Sequence, residues 1–141
     1  MRPAEILVIL ETEFQSTQSG LHAPVMLWGP PGVGKSQMVA QVAAKHQVTV
    51  TDIRLSQMEP SDLRGIPFRI EQRVEWAIPS MLPDSQRHGP AGILFLDEIT
   101  SAAPTVSAAA YQPILDHRLG DYTVPDHWAI FAQLENLQLS K

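Results

Sequence analysis

The sequence predicts an α/β protein, a three-layer αβα sandwich built around a parallel sheet. Three observations carry that prediction. Short apolar strands alternate with helix-patterned stretches, the order that builds a parallel sheet. Pro24-Val25-Met26-Leu27-Trp28 passes through a glycine-rich loop into the helical spacing of Met38, Val39, Val42 and Ala43. Gly92-Ile93-Leu94-Phe95-Leu96 is apolar without a break, as a strand buried on both faces must be.

From the N-terminus, residues 3–17 read as a helix. Pro3 suits a first helical turn, and Ile6, Leu7, Leu10 and Phe14 share one face. A connector with Gly20 leads to the first strand. The helix after the loop ends near His46, and Gln47 to Leu55, with Val48, Val50 and Ile53, reads as a second strand. Residues 56–91 are irregular and carry Pro60, Pro67, Pro79, Pro83 and Pro90. Within them Phe68/Ile70 and Val74/Trp76/Ile78 alternate on either side of Glu71-Gln72-Arg73, the pattern of a hairpin. Residues 92–96 form the third strand. Pro104 to Leu115 reads as a helix with Val106, Ala109, Ala110 and Ile114 inward, and Pro113 is expected to disturb its last turn. Leu119 to Val124 suggests a small β excursion, and Trp128-Ala129-Ile130-Phe131-Ala132 a fourth strand. The whole reads as one domain: residues 1–20 a helix and connector, 21–132 the core, 133–141 an atypical tail.

The chain has 141 residues, about one domain, and is 44% hydrophobic, enough for a core. Ten Lys+Arg against fifteen Asp+Glu give a net charge of −5, which argues against a nucleic-acid surface. The cysteine count of 0 excludes disulfides and thiolate metal sites. Ile6-Leu7-Val8-Ile9-Leu10 is too short for a signal or spanning segment and is followed by Glu11 and Glu13. The expectation is a cytoplasmic protein with no membrane partner. His22, His46, His88, His117 and His127 are scattered, so no histidine metal site is expected.

Gly29-Pro30-Pro31-Gly32-Val33-Gly34-Lys35-Ser36 matches the phosphate-binding loop G-x-x-x-x-G-K-[ST]. The glycines let backbone approach a polyphosphate without a Cβ in the way, and successive N–H groups then line one concavity. Lys35 would reach the β- and γ-phosphates, and the Ser36 hydroxyl would hold Mg²⁺. The helix continuing through Gln37 would aim its positive end at the same charge. A Gly/Pro turn that binds nothing is the plain alternative, but the strand before and the helix after are the context the motif requires. The fold expected is therefore that of the P-loop NTPases.

A second motif ends the third strand. Ile93-Leu94-Phe95-Leu96 runs into Asp97-Glu98, and ligands of a parallel sheet bind outside the carboxyl ends of its strands. Asp97 would orient Mg²⁺ through its water shell. Glu98 would polarise a water for attack on the γ-phosphate, with Lys35 as the other catalytic residue. Two acids could also simply mark where the strand leaves the core. No guanine-reading Asn-Lys-x-Asp is present, and the second carboxylate favours ATP hydrolysis over transfer to a small acceptor.

With these motifs in place the chain resembles an AAA+ ATPase, and more narrowly the MoxR-like group, over roughly residues 4–131. The pieces that carry the resemblance are 24–36, Gln57-Met58-Glu59-Pro60-Ser61-Asp62-Leu63-Arg64-Gly65-Ile66-Pro67, residues 74–79, residues 93–100 and residues 115–125. The resemblance implies a core with strand order 5-1-4-3-2 and ATP and Mg²⁺ as ligands. It also implies self-association into rings, commonly hexameric, and ATP-driven remodelling of protein partners, often with a von Willebrand factor A-type domain protein. Members carry a polar sensor residue after the fourth strand, then an arginine finger, a fifth strand and a helical lid. Here the chain reads Ala132-Gln133-Leu134-Glu135-Asn136 and ends at Lys141; Asn136 is the nearest candidate sensor, and no Arg follows. The expectation is a core truncated before the fifth strand and lid, for which a frame change near Phe131 would account. Hydrolysis should then be weak. The alternative is a nucleotide-binding or interaction module without significant hydrolysis. A first strand lacking its fifth-strand neighbour predicts association or marginal stability.

Three other residues have plainer readings. Trp76 could face a ring pore but more simply packs on its own hairpin. Ser61 or Asp62 would cap a short helical piece. Arg118 sits where a cation favours a helix C-terminus.

Overall fold

The structure, a computed structural model, describes residues 3–20, 24–29, 35–59, 62–63, 65–77, 79–99, 102–119 and 122–135. The elements run α1 (Pro3–Gln18), β1 (Val25–Gly29), α2 (Lys35–His46), β2 (Thr49–Arg54), a 3-10 turn (Leu55–Gln57), β3 (Ile66–Ile70), β4 (Arg73–Ala77), β5 (Ala91–Asp97), α3 (Pro104–Asp116), β6 (Arg118–Leu119), β7 (Tyr122–Thr123) and β8 (His127–Glu135). Four strands form one parallel sheet in the order β1-β8-β5-β2, which is the expected 1-4-3-2. The two short pairs β3-β4 and β6-β7 are antiparallel hairpins beside it.

Period-two alternation divides each strand between two dry faces. On one face Ile93, Phe95, Ala129 and Phe131 meet Leu10 and Phe14 of α1 and Met38, Val39, Val42 and Ala43 of α2. On the other, Leu94, Leu96, Trp128, Ile130, Ala132 and Leu134 meet Val106, Ala109, Ala110 and Ile114 of α3. Burial on both faces explains why β5 and β8 are almost wholly apolar. Among the described residues no helix is long and apolar enough to cross a membrane.

The helix ends follow from backbone chemistry. Gln47 closes α2 in the left-handed region (φ 57°), with its N–H donating to Ala44 O at 3.2 Å and that of Val48 to Ala43 O at 3.0 Å. This is a Schellman ending built without glycine. Pro113 does not end α3, which runs three residues further. In the last turn the proline sacrifices one hydrogen bond, and its carbonyl accepts the N–H of left-handed His117 at 2.9 Å. Arg118 follows that cap, close to the helix C-terminus, and begins β6. Asp62 and Leu63 form a short helical piece, and the Asp62 carboxylate caps it by accepting the Glu59 N–H at 2.8 Å, while its own N–H donates to Glu59 O at 2.9 Å. Ser61, Arg64 and the Trp76 side chain lie outside the described residues, as does Asn136.

The fourth strand is longer than its apolar run. β8 continues through Gln133, Leu134 and Glu135, which pair with Leu27, Trp28 and Gly29 of β1. At its start, Trp128 is fully buried and donates its indole N–H to Gly89 O at 3.0 Å. That ring fills the space beside Gly92, where an added Cβ would lie 2.6 Å from Trp128 Cη2 and 2.7 Å from Thr49 O. We expect Gly92→Ala to cost about 2 kcal/mol through overpacking. Denaturant unfolding measures this, and an unchanged midpoint would contradict the packing described.

Candidate functional site

The register of the sheet shows where its chemistry changes. On the face covered by α1 and α2, one row of side chains across the strands is Val50 and Ile93 with Ala129. At the carboxyl ends the row is Arg54 beside Asp97, with Gln133 at the next position and Leu27 beyond it. Apolar rows thus give way to a polar row at one rim. α2 begins at that rim, with Lys35 at its first residue and no acidic side chain in its first turn. The helix therefore brings a positive end to a row containing a buried carboxylate.

β1 ends at Gly29, and the loop residues Pro30, Pro31, Gly32, Val33 and Gly34 lie outside the described residues, as does the Lys35 side chain. Ser36 and Gln37 are exposed in the first turn of α2. β8 alone separates β1 from β5, so the two strands lie about 10 Å apart across the sheet, two strand spacings. The tertiary structure thus puts the first residue of one motif and both acids of the other on the same edge.

Asp97 is 7% exposed, and its Oδ1 has no hydrogen-bond partner among the described residues. Burial pushes its carboxyl above the usual range, and Asp52 and Glu98 push it the same way. The Glu98 N–H and the Arg54 charge pull against them. Asp52 is raised too, first by burial and then by Glu98, with Arg54 opposing. Glu98 itself leaves the strand with a left-handed backbone (φ 59°), rare for a residue with a Cβ. Its Oε1 accepts the Ser56 hydroxyl, and its Oε2 lies 3.9 Å from Arg54 Nε. The two acids therefore differ: Asp97 is buried at the sheet end, and Glu98 is turned toward β2.

Four residues here escape a motif search: Asp52, Arg54, Ser56 and Gln133. The first two had a signal, because Val48, Val50, Asp52 and Arg54 follow one face of β2 and change from apolar to charged halfway. Gln133 had none, since it follows the apolar run. It is 6% exposed and accepts the Ile99 N–H on its backbone carbonyl at 3.4 Å. Among the described residues no group of three or more His, Cys, Asp or Glu could hold a metal ion. A cation at Asp97 would need phosphate and water oxygens for most of its shell.

A raised carboxyl pKa has a definite sign. The folded state holds its proton to higher pH than the unfolded state, so stability falls as pH rises from the unfolded pKa through the folded one. We expect Asp97→Asn to stabilise the free chain at pH 7 by about 1 kcal/mol, because the amide carries no charge for burial to penalise or for Asp52 and Glu98 to repel. The gain should shrink as pH falls into the carboxylate range. Thermal unfolding of both proteins against pH checks this, and a destabilised variant would contradict the assigned burial.

Comparison with known proteins agrees with this geometry. Midasin of Giardia intestinalis is 34% identical over 96 residues, 67% of this chain and 2% of that protein. The human NACHT domain- and WD repeat-containing protein 1 is 36% identical over 91 residues, 58% of this chain and 6% of that protein. The chain therefore corresponds to a small part of either relative. Among solved structures, a Cytophaga hutchinsonii protein assigned as an ATPase superposes with a TM-score of 0.58 at 17% identity, over 94% of this chain and 39% of the other. A mutant of RuvB from Thermotoga maritima gives 0.53 at 18%, over 92% and 37%. These likenesses carry the fold, an α/β sandwich of P-loop NTPase type. Residues 24–125, well over half of the sequence, match the family described as the AAA domain, dynein-related subfamily, and the chain belongs to that family.

Proposed function

We propose that this chain is the nucleotide-binding core of a MoxR-like AAA+ ATPase that binds ATP with Mg²⁺ and hydrolyses it. The observation that carries the reading is the shared rim. The strand that opens G-P-P-G-V-G-K-S and the strand that ends in Asp97-Glu98 stop side by side across β8, where α2 begins.

The residues fit the ligand. Backbone N–H groups from Gly29 through Pro31, Gly32, Val33 and Gly34 to Lys35, Ser36 and Gln37 would surround the phosphates; the prolines Pro30 and Pro31 lend shape but no donor. Lys35 would pair with the β- and γ-phosphates. The Ser36 hydroxyl and buried Asp97, whose Oδ1 has no partner among the described residues, suit a hydrated cation. Bound Mg²⁺ would neutralise charge on the reacting phosphate. It would also relieve the cost of an ionised Asp97 in a buried site. Glu98 would take a proton from the attacking water. To do so it must leave Ser56 and Arg54, because in the free chain both hold it toward β2.

That engagement also supports a second reading, a nucleotide-binding or interaction module without significant turnover. Ring formation, a von Willebrand factor A-type partner, remodelling of proteins and a cytoplasmic location belong to this proposal through the MoxR-like resemblance.

Calorimetry of MgATP with the chain tests the proposal. Binding is expected and should be lost in Lys35→Ala; a folded chain that does not bind would refute it. Glu98→Gln should retain binding and lose turnover by at least about 100-fold, the scale of a general base. Unchanged turnover would favour the silent module. Ser56→Ala should raise basal turnover about fivefold, since the hydrogen bond it removes is worth ~1 kcal/mol. A fall instead would mean that Ser56 supports the active position of Glu98.

A further inference from the structure

Glu98 leaves β5 by a turn that its own backbone disfavours. In an extended continuation of the strand it would fall on the face opposite Asp97, where α3 packs. Its φ of 59° differs from that of a parallel strand by about 180°. Rotation about the N–Cα bond carries Cβ across, and the carboxylate meets Arg54, the neighbour of Asp97 on the face of α1 and α2. The reach of Glu98 toward that face therefore depends on a left-handed conformation that a residue with a Cβ seldom adopts.

Ile99 fixes the chain just beyond that turn. Its side chain is fully buried in the core on the α3 side. Its N–H donates to Gln133 O of β8 at 3.4 Å, and its carbonyl accepts the Ala102 N–H at 3.2 Å. A further bond comes from a helix: the Ser107 hydroxyl of α3 donates to the same carbonyl at 2.8 Å. A helical serine commonly bonds the carbonyl four residues back. Here that acceptor, Ala103 O, already takes the N–H groups of Val106 and Ser107, each at 2.9 Å. The hydroxyl reaches eight residues back instead, to the peptide that follows Glu98.

We propose that Ser107 is a positioning residue for hydrolysis: by holding the Ile99 carbonyl it keeps the Glu98 backbone left-handed and the Glu98 carboxylate on the Asp97 face. This role rests on the reading of Glu98 as the base and goes beyond it, because Ser107 belongs to the helical layer on the other side of the sheet. With the backbone held, the carboxylate can exchange Ser56 and Arg54 for a water by rotating its own side chain. Ser107 acts through Glu98 and not on the nucleotide, so its loss should slow the chemical step and leave binding alone.

Steady-state hydrolysis of MgATP by the full chain, beside calorimetric binding, tests this. Ser107→Ala should lower kcat about fivefold, the scale of one lost hydrogen bond, with KM and the calorimetric Kd unchanged. Ser107→Thr keeps the hydroxyl and should recover the rate. Thr105→Ala, at an exposed position of the same helix, should turn over like wild type. A rate untouched by Ser107→Ala would overturn the proposal, as would a loss carried by KM or one that Ser107→Thr does not recover. Glu98→Gln, run alongside, separates this role from the reading beneath it. Lost turnover there with an unchanged Ser107→Ala sinks the role alone; unchanged turnover there sinks the base and the role together. Amide hydrogen exchange reads the geometry without turnover. The Ile99 N–H should exchange about fivefold faster in Ser107→Ala while that of Leu96 is unchanged. Equal exchange at Ile99 in the two chains would overturn the assigned hold on Glu98.

Discussion

β5 and β8 lie side by side in parallel with both faces dry, and the rest of the molecule is arranged around that pair. Such strands cannot satisfy their backbone in water, so each needs a neighbour on either side. β2 and β1 supply those neighbours. Each face then needs a helical layer, which α1 and α2 supply on one side and α3 on the other. The crossovers demanded by parallel strands place α2 after β1 and start it at the sheet's carboxyl rim. The site is a consequence of how this sheet closes.

At the rim the same faces turn polar, and the cost is visible. Asp97 is buried with an oxygen that no described residue bonds, and its carboxyl is raised by that burial and by two neighbouring acids. A chain under selection for stability alone has no use for such a group. Arg54 offsets part of the charge, and Ser56 and Arg54 keep Glu98 to one side. The free chain thus holds one carboxylate buried at the sheet end and a second one engaged by its own sheet. Both features are conformational, and both should respond to a charged ligand at the end of α2.

Much of the fold was legible because it rests on periodicity. Residues 92–96 could only be a doubly buried strand, and the break between Phe68/Ile70 and Val74/Trp76/Ile78 could only be a turn. Boundaries were harder. Pro113, three residues from the end of α3, removes a single hydrogen bond from the last turn, and the helix runs one residue past the expected Leu115. Gln133 to Glu135 misled as tail because their polarity hides a pairing with β1. In the candidate site, the two motifs were legible because each is a short run of adjacent residues. Asp52, Arg54, Ser56 and Gln133 were not, since no local pattern binds them to Asp97 and Glu98.

By itself the sequence determined the strands and helices, the phosphate-loop pattern and the acidic pair, since each depends on residues within a few positions of one another. Tertiary structure alone decided which strands are neighbours, and so which side chains share the rim. It also decided that Asp97 is buried while Glu98 is turned to Ser56 and Arg54. Those outcomes depend on registers between strands distant in sequence, where one residue of slip would move every side chain to the opposite face.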